Sequence, residues 1–174
     1  MSISHNPNSG ETKKARSLPL WQAYPLALMV WAVLPWAISL LTPCYGWAAG
    51  RPGPMNLLGL IPVLVGITGL IWGMAVHSTQ SPKGIEWDLD RSYLLRGGLY
   101  NFSRNPMYLA ELLLMLGWVI FYGSVAVLIA LVAWALFFIF YQVPLEERTL
   151  EAHFGEAYRE YKGRVPRWLG RSQR

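Results

Sequence analysis

The amino-acid sequence predicts an all-α, polytopic membrane protein with four transmembrane helices and a C-terminal cytoplasmic amphipathic helix. Apolar residues are bunched into four runs, basic residues fall almost wholly on one side of those runs, and the C-terminal segment carries a one-sided apolar stripe. Hydrophobic residues make up 53% of the chain and charged residues 14%, against about 25% charged in soluble domains. A soluble fold of 174 residues has no room to bury four helices that are apolar all round.

The runs are Leu20 to Leu41, Asn56 to Val76, Met107 to Phe121 and Ser124 to Tyr141. A span needs about 20 mostly apolar residues at about 1.5 Å each. The first two runs meet that length. The third and fourth are shorter and are joined only by Tyr122-Gly123, so they read as a tight hairpin whose helices extend past the strictly apolar stretch. Pro25 and Pro35 lie in the first run. A membrane helix tolerates proline when the freed carbonyl finds another partner, and Pro35 is expected to bend the helix. In the second run Gly59, Gly66 and Gly69 permit close packing, although these three lack the four-residue spacing of a specific small-residue motif.

Lys and Arg set the orientation. Residues 1–19 hold three, loop 42–55 holds only Arg51, segment 77–106 holds four and the tail from 142 holds seven, so 14 of 15 lie on one side. By the positive-inside rule both termini and segment 77–106 are cytoplasmic. The expected location is a bacterial inner membrane. The net charge of +5 then reads as attraction to anionic membrane lipids, not nucleic acid. No obligate protein partner is indicated. Residues 1–19 are polar and expected to be a disordered cytoplasmic N-terminus. No convincing cleavage site follows, so the first run is expected to stay as an anchor. Residues 20–76 read as a two-helix support, and 77–174 as a core of interfacial loop, helical hairpin and cytoplasmic tail.

The lone Cys44 excludes an internal disulfide framework, and scattered His5, His77 and His153 offer no metal site. The chain has no dinucleotide or phosphate-loop glycine pattern, no HExxH and no GxSxG. What remains is segment 77–106 and the tail. Ser103 or Asn105 can cap a helix that starts at Pro106. The free N–H groups beyond it can bind a negative group, with Arg104 adding a fixed positive charge. Tyr108 and Glu111, three apart, share a face. Glu111 is the one charged residue inside the four runs, and at hydrocarbon depth a charge should face a cavity or partner. Glu146 and Glu147 stand where the last span emerges. Leu150, Phe154, Tyr158 and Tyr161 draw the apolar stripe of a tail helix, and Pro166 stops it.

Taken in order, Gly98-Leu99-Tyr100, Arg104-Asn105-Pro106-Met107-Tyr108, Glu146-Glu147 and the run from Phe154 to Trp168 resemble the isoprenylcysteine carboxyl methyltransferase and phospholipid methyltransferase superfamily of membrane enzymes. The resemblance covers roughly residues 90–169 and implies S-adenosylmethionine as cofactor, bound from the cytosol. It implies close approach of Gly98 and Tyr100 to the cofactor, and cofactor contacts from Arg104, Asn105, Pro106 and Tyr108. Glu146 and Glu147 match the paired acidic motif that helps to hold it. Arg159 and Arg164 match basic positions assigned here to the substrate. Asn105 departs from the histidine common in the family, and an amide cannot act as a base.

The catalytic candidates are Arg104 and Glu111. The expected reaction is methyl transfer to a lipid-like or amphiphilic acceptor, with carboxyl O-methylation of an isoprenylcysteine-like substrate placed first and phospholipid N-methylation second. A carboxylate is already ionised at neutral pH and needs no base. An amine must first lose a proton, and Glu111 could assist. A nicotinamide-dependent membrane reductase and a non-enzymatic scaffold or small transporter are the other classes the residues allow.

Overall fold

The computed structural model describes residues 17–18, 26–27, 29–80, 85–86 and 93–170. Most of the polar N-terminal stretch, the start of the first apolar run and most of 81–92 lie outside the described residues, and with them the expectation of a disordered N-terminus. The fold is all-α. Its helices are α1 (Met29–Ser39), α2 (Leu60–Gln80), α3 (Pro106–Tyr122), α4 (Val125–Phe137), α5 (Val143–Phe154) and α6 (Glu156–Arg164). Two-residue strand pairs, Ser17–Leu18 with Ile85–Glu86 and Trp47–Ala48 with Arg51–Pro52, are minor additions.

Two helices are long and apolar enough to cross a membrane, Pro54–His77 and Val125–Phe154, and two shorter apolar helices accompany them, Met29–Ser39 and Pro106–Tyr122. Only 22% and 11% of the two long apolar windows are buried within the chain. Ile61, Leu64, Ile129 and Phe140 are each more than half exposed. Leaving such side chains in water would forgo about 1.5–3 kcal/mol apiece, which favours a lipid medium for them. The long helices support a membrane-associated protein.

Prolines shape two of these helices in the same way. Met29–Val33 and Phe138–Gln142 are turns of wider, π-type winding, and each ends two residues before a proline, Pro35 and Pro144. A proline ring crowds the carbonyl four residues back and offers it no N–H, and a wider turn gives that carbonyl room. For Pro35 that carbonyl belongs to Trp31, and it accepts a bond from Trp118 Nε1 at 2.7 Å.

The chain divides into two compact units. One comprises residues 20–73 and 107–138, and the other 1–19, 74–106 and 139–174. In the first, helical unit, α2 meets α3 through small residues. A Cβ on Gly59 would lie 2.5 Å from the Gly117 carbonyl oxygen, one on Gly66 2.7 Å from that of Ala110, and one on Gly73 2.7 Å from Met107 Cγ. These glycines recur every seven residues, and Gly73 completes with Gly69 the four-residue spacing that Gly59, Gly66 and Gly69 lack among themselves.

The short link between α3 and α4 is satisfied by the loop that follows α1. Gly123 has φ +58, a conformation that favours glycine, and a Cβ there would collide with the Tyr45 carbonyl. Ser124 caps α4 by accepting from the Val127 N–H. Carbonyls near the end of α3 would otherwise lack partners. Ile120 O accepts from Asn56 Nδ2 at 3.2 Å and Phe121 O from Trp47 Nε1 at 2.9 Å.

Candidate functional site

The second, tail unit carries most of the motif residues. Its apolar centre is Leu94, Phe154, Tyr158, Tyr161 and Val165, with Leu150 packed against it. The tail stripe thus covers part of the loop before α3. The one tail helix read from the sequence is two: Gly155, at φ +53 and ψ −123, lies outside helical geometry and separates α5 from α6. Val165 is extended, at φ −114 and ψ 128, as the residue before Pro166 should be. Arg159 and Arg164 lie on exposed surface, paired with Glu156 and Glu160 within their own helix. No described contact joins them to the buried charges.

Those charges centre on Glu147. Its Oε1 lies 2.7 Å from Arg104 Nη1 in an ion pair and accepts from Arg167 Nε at 3.0 Å, and its Oε2 accepts from Arg167 Nη2 at 2.6 Å. Arg167 therefore grips the carboxylate as a fork, while Arg104 touches one oxygen end-on. Arg104 and Glu147 expose 9% and 7% of their side chains, and Arg167 exposes 39%. Arg104 Nη1 also reaches Tyr158 Oη at 3.5 Å, while its Nε is buried with no hydrogen-bond partner. Glu146, beside Glu147 in α5, is buried as well.

The backbone of the tail closes on the same motif. Arg104 N–H donates to Pro166 O at 3.0 Å, Ser103 Oγ to Arg167 O at 3.3 Å and Asn105 Nδ2 to Arg167 O at 2.9 Å. Ser103 Oγ also accepts from the Asn105 N–H at 3.0 Å, and Pro106 then opens α3. Asn105 thus acts as an amide donor to a carbonyl, a task that needs no titrating group.

Gly98 has φ +64 and begins a tight turn, Gly98–Asn101, that presents Tyr100 inward. The Tyr100 carbonyl accepts from Tyr161 Oη at 2.8 Å. Its hydroxyl lies 3.1 Å from His77 Nε2, and His77 Nδ1 lies 2.8 Å from Tyr93 Oη. Buried His77 is thus a bracket between two tyrosines, held because α2 runs on to Gln80 instead of ending at Val76. Arg96 donates through Nη2 to the Ala157 carbonyl.

Burial shifts the titrations here. Tyr158 is pushed up to about 12, first by burial and then by the nearby Glu147 and Glu146 carboxylates, against the opposing effect of Arg104. Tyr161 is raised by burial and by neighbouring Tyr100 and Tyr158. The Glu147 hydrogen bonds raise Arg167 above its usual value. At neutral pH Arg167 is therefore a cation, and Tyr158 and Tyr161 are neutral phenols.

Tyr108 and Glu111 belong to the helical unit. Tyr108 packs on Phe138, with ring centroids 4.5 Å apart. Glu111 Oε2 accepts from Trp134 Nε1 at 3.4 Å, so the charged residue of the runs does have a polar partner across the hairpin.

Of the motif residues, Tyr100, Arg104, Asn105 and Glu147 are thus tied into one network in the tail unit. His77, Tyr93, Tyr158 and Arg167 belong to that network too, without having been singled out as site residues. Arg167 had one legible signal, its place in the Val-Pro-Arg-Trp run; His77 had none beyond being polar at a helix end.

A model for the phospholipid methyltransferase family matches residues 56–157. The match takes in more than half of the chain, and the chain belongs to that family. It includes Gly98, the 104–108 motif, Glu111 and both glutamates, and stops short of Tyr158 and Arg167. An uncharacterized protein of Haemophilus influenzae is 38% identical over 63 residues, which is 36% of this chain and 100% of that relative. No solved structure matches. Family membership supports an enzymatic activity that uses S-adenosylmethionine on a membrane-associated substrate.

Proposed function

We propose that this protein methylates a membrane-borne acceptor at the cytoplasmic face, with α1 to α4 as four spans and the tail on the cytoplasmic side. The observation that carries the reading is Arg104. Its guanidinium is almost wholly buried, yet its Nε–H has no partner. A buried donor without an acceptor costs about 1–3 kcal/mol, and a ligand carboxylate would remove that cost. S-adenosylmethionine has such a carboxylate, so the residues fit it.

In this reading Arg104 holds the carboxylate. Glu146 and Glu147, adjacent and buried in α5, are the carboxylates for the ribose hydroxyls. Gly98 lets the Tyr100 turn approach the ligand closely. Arg159 and Arg164 remain exposed cations for an anionic headgroup. When bound, S-adenosylmethionine supplies a methyl group on a positively charged sulfur. The protein's part is to align donor and acceptor and keep water out.

We place O-methylation of a carboxylate first. A carboxylate acceptor brings no proton to remove, and Glu147, accepting from two guanidinium groups, is not placed to take one. Phospholipid N-methylation is the second reading, favoured by the family's description. It would need Glu111 as proton acceptor.

The test supplies methyl-labelled S-adenosylmethionine to the purified protein with bacterial lipid extract or a prenylated cysteine, and follows label into the organic phase. Alkali releases a methyl ester as volatile methanol and leaves an N-methyl group in place. Label in lipid with wild type, and none with Arg104→Ala, is expected. No cofactor binding and no transfer by wild type, or binding of a nicotinamide cofactor in its place, would overturn the reading.

A further inference from the structure

The tail holds an arginine whose grip determines what Arg104 can do. Left alone with Glu147, Arg104 would form the two-pronged pair that guanidinium and carboxylate favour. It does not: Arg167 holds both oxygens, with Nε on Oε1 and Nη2 on Oε2, and Arg104 meets Oε1 alone. Arg104 is confined to one oxygen through Nη1, and its Nε stays without a protein partner. One carboxylate shared by two guanidinium groups also leaves a net positive charge on the trio.

Arg167 is itself anchored. Its carbonyl accepts from Ser103 Oγ and Asn105 Nδ2, and the preceding Pro166 carbonyl accepts from the Arg104 N–H. Three consecutive residues of the helix-start motif therefore hold the backbone whose side chain holds Glu147.

We infer that Arg167 is a positioning residue: by gripping both oxygens of Glu147 it restricts Arg104 to end-on contact and keeps the Arg104 Nε–H for an anionic ligand group. Resting on the function proposed above, that group is the carboxylate of the methyl donor. The role differs from substrate contact, which the sequence suggested for Arg159 and Arg164, since Arg167 acts through Glu147 and Arg104.

The test compares two ligands that differ only in that carboxylate, S-adenosylmethionine and its decarboxylated analogue. Each is titrated calorimetrically into the full chain in detergent, without acceptor. Arg167→Ala is expected to bind S-adenosylmethionine about tenfold more weakly, as the loss of one well-placed charged hydrogen bond implies, with its affinity for the analogue unchanged. Arg167→Lys, which keeps the charge and loses the fork, should show the same selective loss, and it serves if the alanine variant does not fold. Equal loss for both ligands would make Arg167 a general structural residue and overturn the inference. So would no loss for either. Failure of the wild-type protein to bind S-adenosylmethionine would instead strike the proposed function, which separates the two outcomes.

Discussion

Replacing Glu147 by Gln tests whether the buried charges hold the tail unit together. The substitution keeps size and one carbonyl oxygen but leaves two guanidinium groups without their anion. Arg104 and Glu147 are both more than nine-tenths buried, where removing one partner of an ion pair costs about 3–5 kcal/mol. Arg167 is 39% exposed, so solvent screens its share, and about 0–1 kcal/mol is appropriate for that contact. The retained oxygen recovers part of the loss, which puts the expected cost near 3 kcal/mol. For a chain of this size each kcal/mol moves the melting point by about 2–4 °C, so a drop of about 6–12 °C is expected. Thermal unfolding of wild type and Glu147→Gln in one detergent measures it. Pairing Arg104→Met with Glu147→Leu should cost less than the two single changes added together, because the two buried charges leave together and only the part-exposed Arg167 loses its partner. A Glu147→Gln melting point within about 2 °C of wild type would refute the reasoning.

Gly66→Ala places a Cβ 2.6 Å from Leu114 Cβ and 2.7 Å from the Ala110 carbonyl oxygen, and should destabilise the helical unit by about 1–3 kcal/mol; unchanged unfolding in a denaturing-detergent titration would count against that packing. Tyr158 is pushed up to about 12 from an ordinary value of 10.0. A raised folded-state value means its stabilising contribution is complete below pH 10 and is lost as pH rises through about 12. Tyr158→Phe should flatten that decline, and absorbance titration should show one fewer late-ionising tyrosine. Glu111→Gln should lower turnover about 100-fold if Glu111 serves an amine acceptor as base, with cofactor affinity unchanged; full turnover would leave it a polar partner of Trp134.

Local features were legible because local physics decides them. Pro106 starts α3 and Pro166 follows an extended residue, since proline restricts its own neighbourhood whatever lies around it. The stripe of Leu150, Phe154, Tyr158 and Tyr161 does pack together, as helical periodicity requires. Gly155 was harder to read: a glycine between two helical patterns is tolerated within a helix as well as able to end one. The roles of the charged tail residues were scarcely legible. Arg159, Arg164 and Arg167 look alike in sequence, and only Arg167 meets Glu147.

By itself the sequence determined the all-α class, the apolar helices, the helix start at Pro106 and the motifs of the methyltransferase family. Each depends on composition or on neighbours a few residues apart. The tertiary structure decided which member of each polar set acts with which. It gave Glu147 to two arginines. It gave Asn105 a carbonyl to bond, and enlisted His77 as a bracket between Tyr93 and Tyr100. Such pairings join residues up to 62 positions apart, and a charge or hydrogen bond depends on distance in space, of which spacing along the chain carries no record.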